Sequence, residues 1–181
     1  MENYHVATAK PSENTLKHEI YEWIKCILFA VIFAIIVRTF IFAFVVVEQT
    51  SMHPTLKPSD RLGVSKITYT LSKPKRGDIA IIRINPETNY VKRVIGVAGD
   101  SVEIIEQTVY INGEAIDEPY IDNNLIYSDF EMVIVPEGCY FVMGDNRPDS
   151  LDSRSARLGF IGEDDFIGKV AFRLSPFAWL Y

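Results

Sequence analysis

The sequence has 181 residues, of which 48% are hydrophobic and 23% charged, a composition that excludes a disordered chain. Residues 1–47 carry four basic and four acidic side chains, so the whole net charge of −6 belongs to residues 48–181. An acidic domain repels a phosphate backbone, and no nucleic-acid partner is expected. The residues after Val47 suffice for one domain with its own core.

The first two segments are predicted to be a tail and a membrane anchor. Residues 1–20 are polar, carry charges of both signs and lack an apolar face, which is typical of a short mobile tail. The run from Cys26 to Val47 is interrupted only by Arg38 and Thr39. Residues 21–41 give the roughly 20 residues that span about 30 Å of hydrocarbon, so we expect a transmembrane helix there. A buried core helix and a cleaved signal peptide are the alternatives. The lysines and arginines on either side nearly balance, so charge alone leaves the orientation open.

Residues 42–181 are predicted to form a mainly β domain, an antiparallel coiled sheet or a barrel-like structure. The Phe- and Val-rich run 40–47 favours a strand directly after the anchor. Asn112-Gly113 is typical of a hairpin turn, because both turn positions need positive φ. Residues 117–131 are expected to form the longest surface loop. Further strands are predicted at 61–67, 78–84, 90–96, 101–105, 108–111, 132–135, 140–143 and 167–174.

The cysteines and histidines point to no metal site and no cofactor. Cys26 and Cys139 are expected to be two buried free thiols, since they are far apart in the predicted domain organisation. His53 is the only histidine after the predicted anchor, and no neighbouring carboxylate orients it as a Ser-His-Asp triad requires. The aromatic chain end, residues 177–181, is interpreted as a core-closing strand or as a contact with the membrane interface.

Ser51 is a candidate nucleophile. It follows the predicted first strand and precedes Pro54, which would hold the chain in a bend. A serine on such a turn can present its hydroxyl and its backbone N–H to the same carbonyl group. An ordinary surface serine is the alternative.

Lys92 is a candidate general base. Strand alternation places Lys92 and Arg93 on opposite faces, so a strand with one buried face must bury or half-bury one of these cations. Burial lowers the pKa of a lysine and makes it a usable base, whereas arginine cannot lose its proton. A lysine on a solvated face is the alternative.

The segment 144–154 is dense in Asp and Arg and follows a predicted buried strand. We expect an ion-paired, rigid loop at the end of the sheet. A turn with local side-chain caps is the alternative.

Together these segments resemble the type I signal peptidases, membrane-bound Ser/Lys endopeptidases, in their small single-span Gram-positive form. The resemblance covers residues 21–174 and follows the predicted anchor and five segments in order. These segments are Arg38-Thr39-Phe40, Ser51-Met52-x-Pro54-Thr55-Leu56, Arg76-Gly77-Asp78, Tyr90-Val91-Lys92-Arg93 with Gly96, Gly99 and Asp100, and Gly144 to Arg154.

The resemblance also implies roles for individual residues. Ser51 would be the nucleophile and Lys92 the general base, with the Ser150 hydroxyl orienting the lysine amine. Gln49 departs from the family pattern, which often has serine or glycine there. Either its amide is the side-chain donor of the oxyanion hole, or the Ser51 N–H is the only donor. The implied ion-pair scaffold is Arg93, Asp145, Asp152 and Arg154, and the implied substrate pockets are lined by Met52, Leu56 and Tyr90.

The implied activity is removal of signal peptides from exported preproteins after Ala-x-Ala-like sites, without metal or cofactor. The implied location is the plasma membrane, with the N-terminus cytoplasmic and the catalytic domain outside, in contact with phospholipid. Two other hypotheses are a self-cleaving Ser/Lys protease similar to the SOS-response repressors and an inactive, membrane-tethered assembly module. Autoproteolysis as the sole activity would favour the first, and failure of a serine probe to label Ser51 the second.

Overall fold

The computed structural model describes residues 13–122, 124–175 and 177–180. Most of the predicted tail, residues 1–12, and the aromatic Tyr181 lie outside the described residues. The chain divides into two compact units, Met1–Thr39 and Phe40–Tyr181.

The first unit contains one helix, α1, over Glu13–Ile36 in its described part, and a π-helical turn over Val37–Ile41 follows it. Residues 13–20, which the sequence assigned to the tail, lie in this helix. Among the described residues, no helix combines the length and the apolar character that crossing a membrane requires. Cys26 is exposed on α1 and Cys139 is half-buried, so the prediction of two free thiols is confirmed but that of their full burial is wrong.

The second unit is mainly β, as the alternating β-branched runs predict. Its described residues form one short α-helix, α2 (Thr68–Leu71), two 3₁₀ turns (Arg147–Asp149 and Glu163–Asp165) and twelve strands. The strands are β1 (Phe42–Val46), β2 (Arg61–Ser65), β3 (Ile79–Asn85), β4 (Thr88–Gly96), β5 (Ser101–Ile105), β6 (Thr108–Ile111), β7 (Glu114–Ala115), β8 (Phe130–Ile134), β9 (Cys139–Met143), β10 (Ile161–Gly162), β11 (Phe166–Leu174) and β12 (Phe177–Trp179).

The strands form two sheets with antiparallel pairing. The larger has eight strands in the order β1-β2-β11-β3-β4-β9-β10, with β12 paired to β11. The smaller has the order β7-β6-β5-β8. An antiparallel β-rich domain is therefore confirmed as the fold class.

Local signals predicted the small sheet well. Strands β5 and β6 begin and end where the alternation predicts. Asn112 and Gly113 have φ angles of 55° and 80°, and Ile111 pairs with Glu114 across this hairpin. At the chain end, β12 is the predicted strand. The side chains of Phe177 and Trp179 are exposed, and among the described residues 177–180 it is Leu180 that packs against the core.

Strand β4 lies in the large sheet between β3 and β9. Ala80 of β3 pairs with Lys92, and Met143 of β9 pairs with Arg93. Because β4 and β9 are antiparallel, the chain leaves β9 at Gly144 beside Lys92. The central position of β4 therefore brings the 144–154 segment to the lysine.

Candidate active site

The Ser51 turn, residues 50–56, follows β1 and lies on the core of the large sheet. His53 N–H donates to the Thr50 carbonyl and Leu56 N–H to the Met52 carbonyl, both at 2.9 Å, and the His53–Pro54 peptide bond is cis. Met52 and Leu56 are buried to 1% and 0% exposure in a core cluster with Leu62 and Val64. The burial of Met52 and Leu56 in the core fixes the backbone on either side of them, including that of Ser51. His53 is exposed.

Lys92 reaches two serine hydroxyls from the centre of the sheet. Its Nζ lies 2.8 Å from Ser51 Oγ and 3.1 Å from Ser150 Oγ. The side chain is buried, and this burial is the main cause that lowers the pKa of Lys92 from 10.5 to about 8. Desolvation disfavours the charged ammonium, so the neutral amine is accessible near neutral pH.

Two charges near Lys92 oppose each other. The Asp152 carboxylate raises the pKa of Lys92, whereas the Arg154 guanidinium lowers it. Arg154 donates to both carboxylate oxygens of Asp152 at 2.8 Å. Burial alone would raise the pKa of Asp152, but its hydrogen bonds and the charge of Arg154 lower it, so Asp152 stays ionised. Because these two charges act in opposite directions, burial remains the main cause of the lowered pKa of Lys92.

Arg93 forms the second ion pair, on the other face of β4. Its Nε and Nη2 donate to the two Asp145 oxygens at 2.9 and 2.7 Å. Thr55 Oγ1 donates to the same carboxylate at 2.5 Å. Arg93 and Lys92 are both buried, so both faces of β4 are covered here, whereas alternation alone required only one buried cation.

The 144–154 loop is tied to the Ser51 turn by direct hydrogen bonds. Asn146 N–H donates to the Ser51 carbonyl at 3.0 Å, and its side-chain amide donates to the Thr50 carbonyl at 3.2 Å. Thr50 Oγ1 donates to Asp149 at 2.7 Å. The loop that supplies Ser150 therefore also holds the backbone of Ser51.

Gly144 allows this close approach. A Cβ at position 144 would lie 2.3 Å from both Ser150 Oγ and the Ser51 carbonyl oxygen. Gly144 N–H donates to Asp152 at 3.1 Å, which links this close contact to the Asp152–Arg154 ion pair.

Two adjoining clefts meet at Ser51. The first cleft, of about 230 Å³, has β-branched walls that include Val45, Ile81 and Val91, and Met52 also lines it. The second, of about 320 Å³, is lined by Tyr90 and Lys92 among others. Gln49 lines both clefts. Leu56 is fully buried in the core and lines neither.

Sequence reasoning missed the side chains that surround the 144–154 loop. Arg147 belongs to the segment noted for its charge, but its partner Glu118 lies 29 residues away in an irregular loop, and no spacing pattern signals the pair. Tyr120 stacks on Arg93 and was likewise missed. Within residues 13–122, 124–175 and 177–180, no group of three or more His, Cys, Asp or Glu side chains could hold a metal ion.

Comparison with known proteins identifies the family. The model of the family described as signal peptidase, peptidase S26, matches residues 20–175. The chain belongs to the signal peptidase family. As a member it is a serine peptidase of the signal peptidase I class.

Bacterial relatives match most of the chain. Signal peptidase I T of Bacillus subtilis (strain 168) is 44% identical over 182 residues, covering 94% of this chain and 91% of the relative. Signal peptidase I of Bacillus licheniformis is 43% identical over 171 residues, covering 89% and 91%. Signal peptidase IB of Staphylococcus aureus (strain COL) is 38% identical over 180 residues, covering 90% and 93%.

A solved structure is also similar. The crystal structure of a signal peptidase I from Enterococcus faecalis V583 is 36% identical and matches with a TM-score of 0.47. The match covers 55% of this chain and 97% of that one.

Proposed function

We propose that this chain is a membrane-anchored endopeptidase that removes signal peptides from exported preproteins, with Ser51 as nucleophile and Lys92 as general base. The observation that carries the proposal is the 2.8 Å separation of Lys92 Nζ from Ser51 Oγ, at a lysine whose burial lowers its pKa to about 8. A serine hydroxyl is a weak nucleophile until an adjacent base takes its proton.

Acylation begins when the neutral amine of Lys92 accepts the proton of Ser51. Oγ attacks the carbonyl carbon of the scissile bond, and the resulting ammonium returns the proton to the leaving amine of the mature protein. The signal peptide then remains as an ester on Ser51. Ser150 Oγ, 3.1 Å from Nζ, accepts an N–H of the amine and so directs its lone pair towards Ser51.

In deacylation water is the nucleophile, and Lys92 is again the base. Lys92 takes a proton from water, the hydroxide adds to the ester carbonyl, and the proton returns to Ser51 Oγ as the signal peptide leaves. The oxyanion formed in each step is stabilised by the Ser51 N–H and by the Gln49 amide, which lies at the junction of the two clefts.

Specificity for small side chains follows from the walls of the first cleft. Val45, Met52 and Val91 line the first cleft, of about 230 Å³, and we assign this apolar wall to the small side chain before the scissile bond. Tyr90 contributes to the second cleft, which Ser51 also lines. Leu56 lies in the same buried core cluster as Met52 and so contributes to the cleft indirectly, by supporting Met52.

In this proposal residues 1–20 form a cytoplasmic tail, residues 21–41 a single anchor in the plasma membrane, and residues 42–181 an extracytoplasmic catalytic domain. The run of exposed apolar side chains along α1, from Ile24 to Ile35, supports an anchor, as does family membership. Protease added outside sealed, right-side-out vesicles should digest the β domain, and its full protection would overturn this topology.

The activity is tested with the full chain in lipid vesicles and a preprotein that carries an Ala-x-Ala site. N-terminal sequencing of the product should show cleavage directly after this site. Ser51→Ala should leave the preprotein intact, whereas Ser175→Ala, which alters an exposed serine, should match the wild type. Wild-type rates in Ser51→Ala would overturn the assignment of the nucleophile.

A further inference from the structure

The loop between β7 and β8 is joined to the 144–154 loop by an ion pair between Glu118 and Arg147. Glu118 accepts hydrogen bonds from Arg147 Nη1 at 2.9 Å and Nη2 at 2.6 Å. The Arg147 side chain is fully buried and that of Glu118 is 9% exposed. A bidentate pair in this setting fixes both partners geometrically.

The same loop touches the strand that carries Lys92. Tyr120 stacks on Arg93, with the guanidinium carbon 3.7 Å from the ring centre, and its hydroxyl donates to Glu118 at 2.6 Å. Burial and the nearby Glu118 carboxylate raise the pKa of Tyr120, so the phenol keeps the proton that it donates. Glu118, Tyr120 and Arg147, hereafter the clasp, thus connect β4 with the 144–154 loop.

Arg147 also bonds to the backbone next to Ser51 and Ser150. Its Nε donates to the Gly144 carbonyl at 3.1 Å, and its own carbonyl accepts a hydrogen bond from Arg154 at 2.7 Å. Gly144 is the residue with no room for a Cβ between Ser150 and Ser51. A shift of Arg147 would therefore move the backbone that sets the Ser150 hydroxyl against Lys92.

We propose that the clasp positions the active site, so that Glu118, Tyr120 and Arg147 act on the chemical step through Gly144 and Ser150. This inference rests on the proposed function. None of the three side chains lines either cleft at Ser51, so they do not contact substrate there. Loss of the clasp should lower kcat and leave KM nearly unchanged.

Positioning can be separated from stabilisation because a buried ion pair is often replaceable by neutral groups at little cost in stability, whereas removing one partner alone is costly. Glu118→Gln and Arg147→Met should each lower the thermal midpoint. The double variant should recover most of that midpoint. Glu131→Gln, an exposed carboxylate on β8, is the matched control.

The experiment uses the full-length variants in lipid vesicles and counts competent sites by mass spectrometry after labelling with a serine-directed acylating probe. We expect kcat per labelled Ser51 to fall by about tenfold or more in each single variant, with KM within about twofold. The double variant should have a kcat per labelled site close to that of the slower single variant, since the pair acts as a unit. Glu131→Gln should match the wild type.

Recovery of kcat per labelled site in the double variant would overturn the proposal and leave the pair a structural role. A rise in KM alone would also overturn it. If the wild type labels at Ser51 but does not cleave the preprotein, the proposed function fails, and the rate of probe acylation in the same variants still tests the clasp.

Discussion

Lys92 Nζ lies 2.8 Å from Ser51 Oγ, although 41 residues separate the two in sequence. Two elements bring them together: β4 at the centre of the large sheet, and the Ser51 turn, which the core holds over that sheet. Both residues are buried from solvent: Lys92 is 1% and Ser51 is 8% exposed. A lysine in such a place has a lowered pKa, and four consequences follow for pH dependence, charge substitution, stability and packing.

Cleavage is expected to rise with pH through a pKa of about 8, because only neutral Lys92 can accept the Ser51 proton. kcat/KM should be about tenfold higher at pH 9 than at pH 7, as the neutral fraction of the free enzyme grows. A pH profile of kcat/KM on the full chain measures this. A rising limb near pH 6.5 would instead indicate a histidine as the base and contradict the role of Lys92.

Asp152→Asn and Arg154→Met should shift this limb in opposite directions. Asp152 raises the pKa of Lys92, so its neutral variant should move the limb to lower pH. Arg154 lowers that pKa, so its neutral variant should move the limb to higher pH. The measurement is again kcat/KM against pH, in which the position of the limb is independent of any loss in maximal rate. Shifts in the same direction would contradict this electrostatic account.

Lys92→Met should stabilise the fold at pH 7 while abolishing activity. A pKa lowered from 10.5 to about 8 means that the folded state disfavours the charged lysine by about 3 kcal/mol. This cost is fully present below pH 8 and disappears as the pH rises to about 10.5, where the unfolded chain also loses the proton. Thermal unfolding of both proteins at pH 7 and pH 10 tests the sign. A methionine variant that is less stable than the wild type at pH 7 would contradict the burial argument.

Gly144→Ala should reduce activity by at least about a hundredfold, because its Cβ would lie 2.3 Å from Ser150 Oγ and from the Ser51 carbonyl oxygen. Retreat of either group breaks the contact with Lys92. Gly162→Ala is the matched control, since the nearest atom to its Cβ would be Asp165 Oδ2 at 3.4 Å, an ordinary contact. Equal cleavage rates in Gly144→Ala and Gly162→Ala would show that the close packing around Gly144 has no effect on catalysis.

Local patterns predicted the parts of the fold that local interactions determine. The β5–β6 pair and the Asn112-Gly113 hairpin follow from alternation and turn chemistry within a few residues. Pairing of Ser51 with Lys92 depends on the order of strands in the large sheet, which periodicity does not specify. Residue chemistry made Ser51 and Lys92 candidates for nucleophile and base, and the family resemblance implied the same two roles.

The burial of Arg93 shows a second limit. Alternation treats a strand as having one covered face, but Tyr120 comes from an irregular loop and covers the other. The Glu118–Arg147 pair has the same origin, because irregular loops carry no period from which a contact over 29 residues can be inferred. Side chains that reach the site from such loops therefore required the structure.

The most direct test of the Ser51–Lys92 account is the mass of the covalent intermediate in acid-quenched reactions with a preprotein. The wild type should carry the signal peptide as an ester on the peptide that contains Ser51. Lys92→Arg keeps a cation that cannot lose its proton, so it should form no ester above background. Ester formation on another residue, or at wild-type rates in Lys92→Arg, would contradict the mechanism.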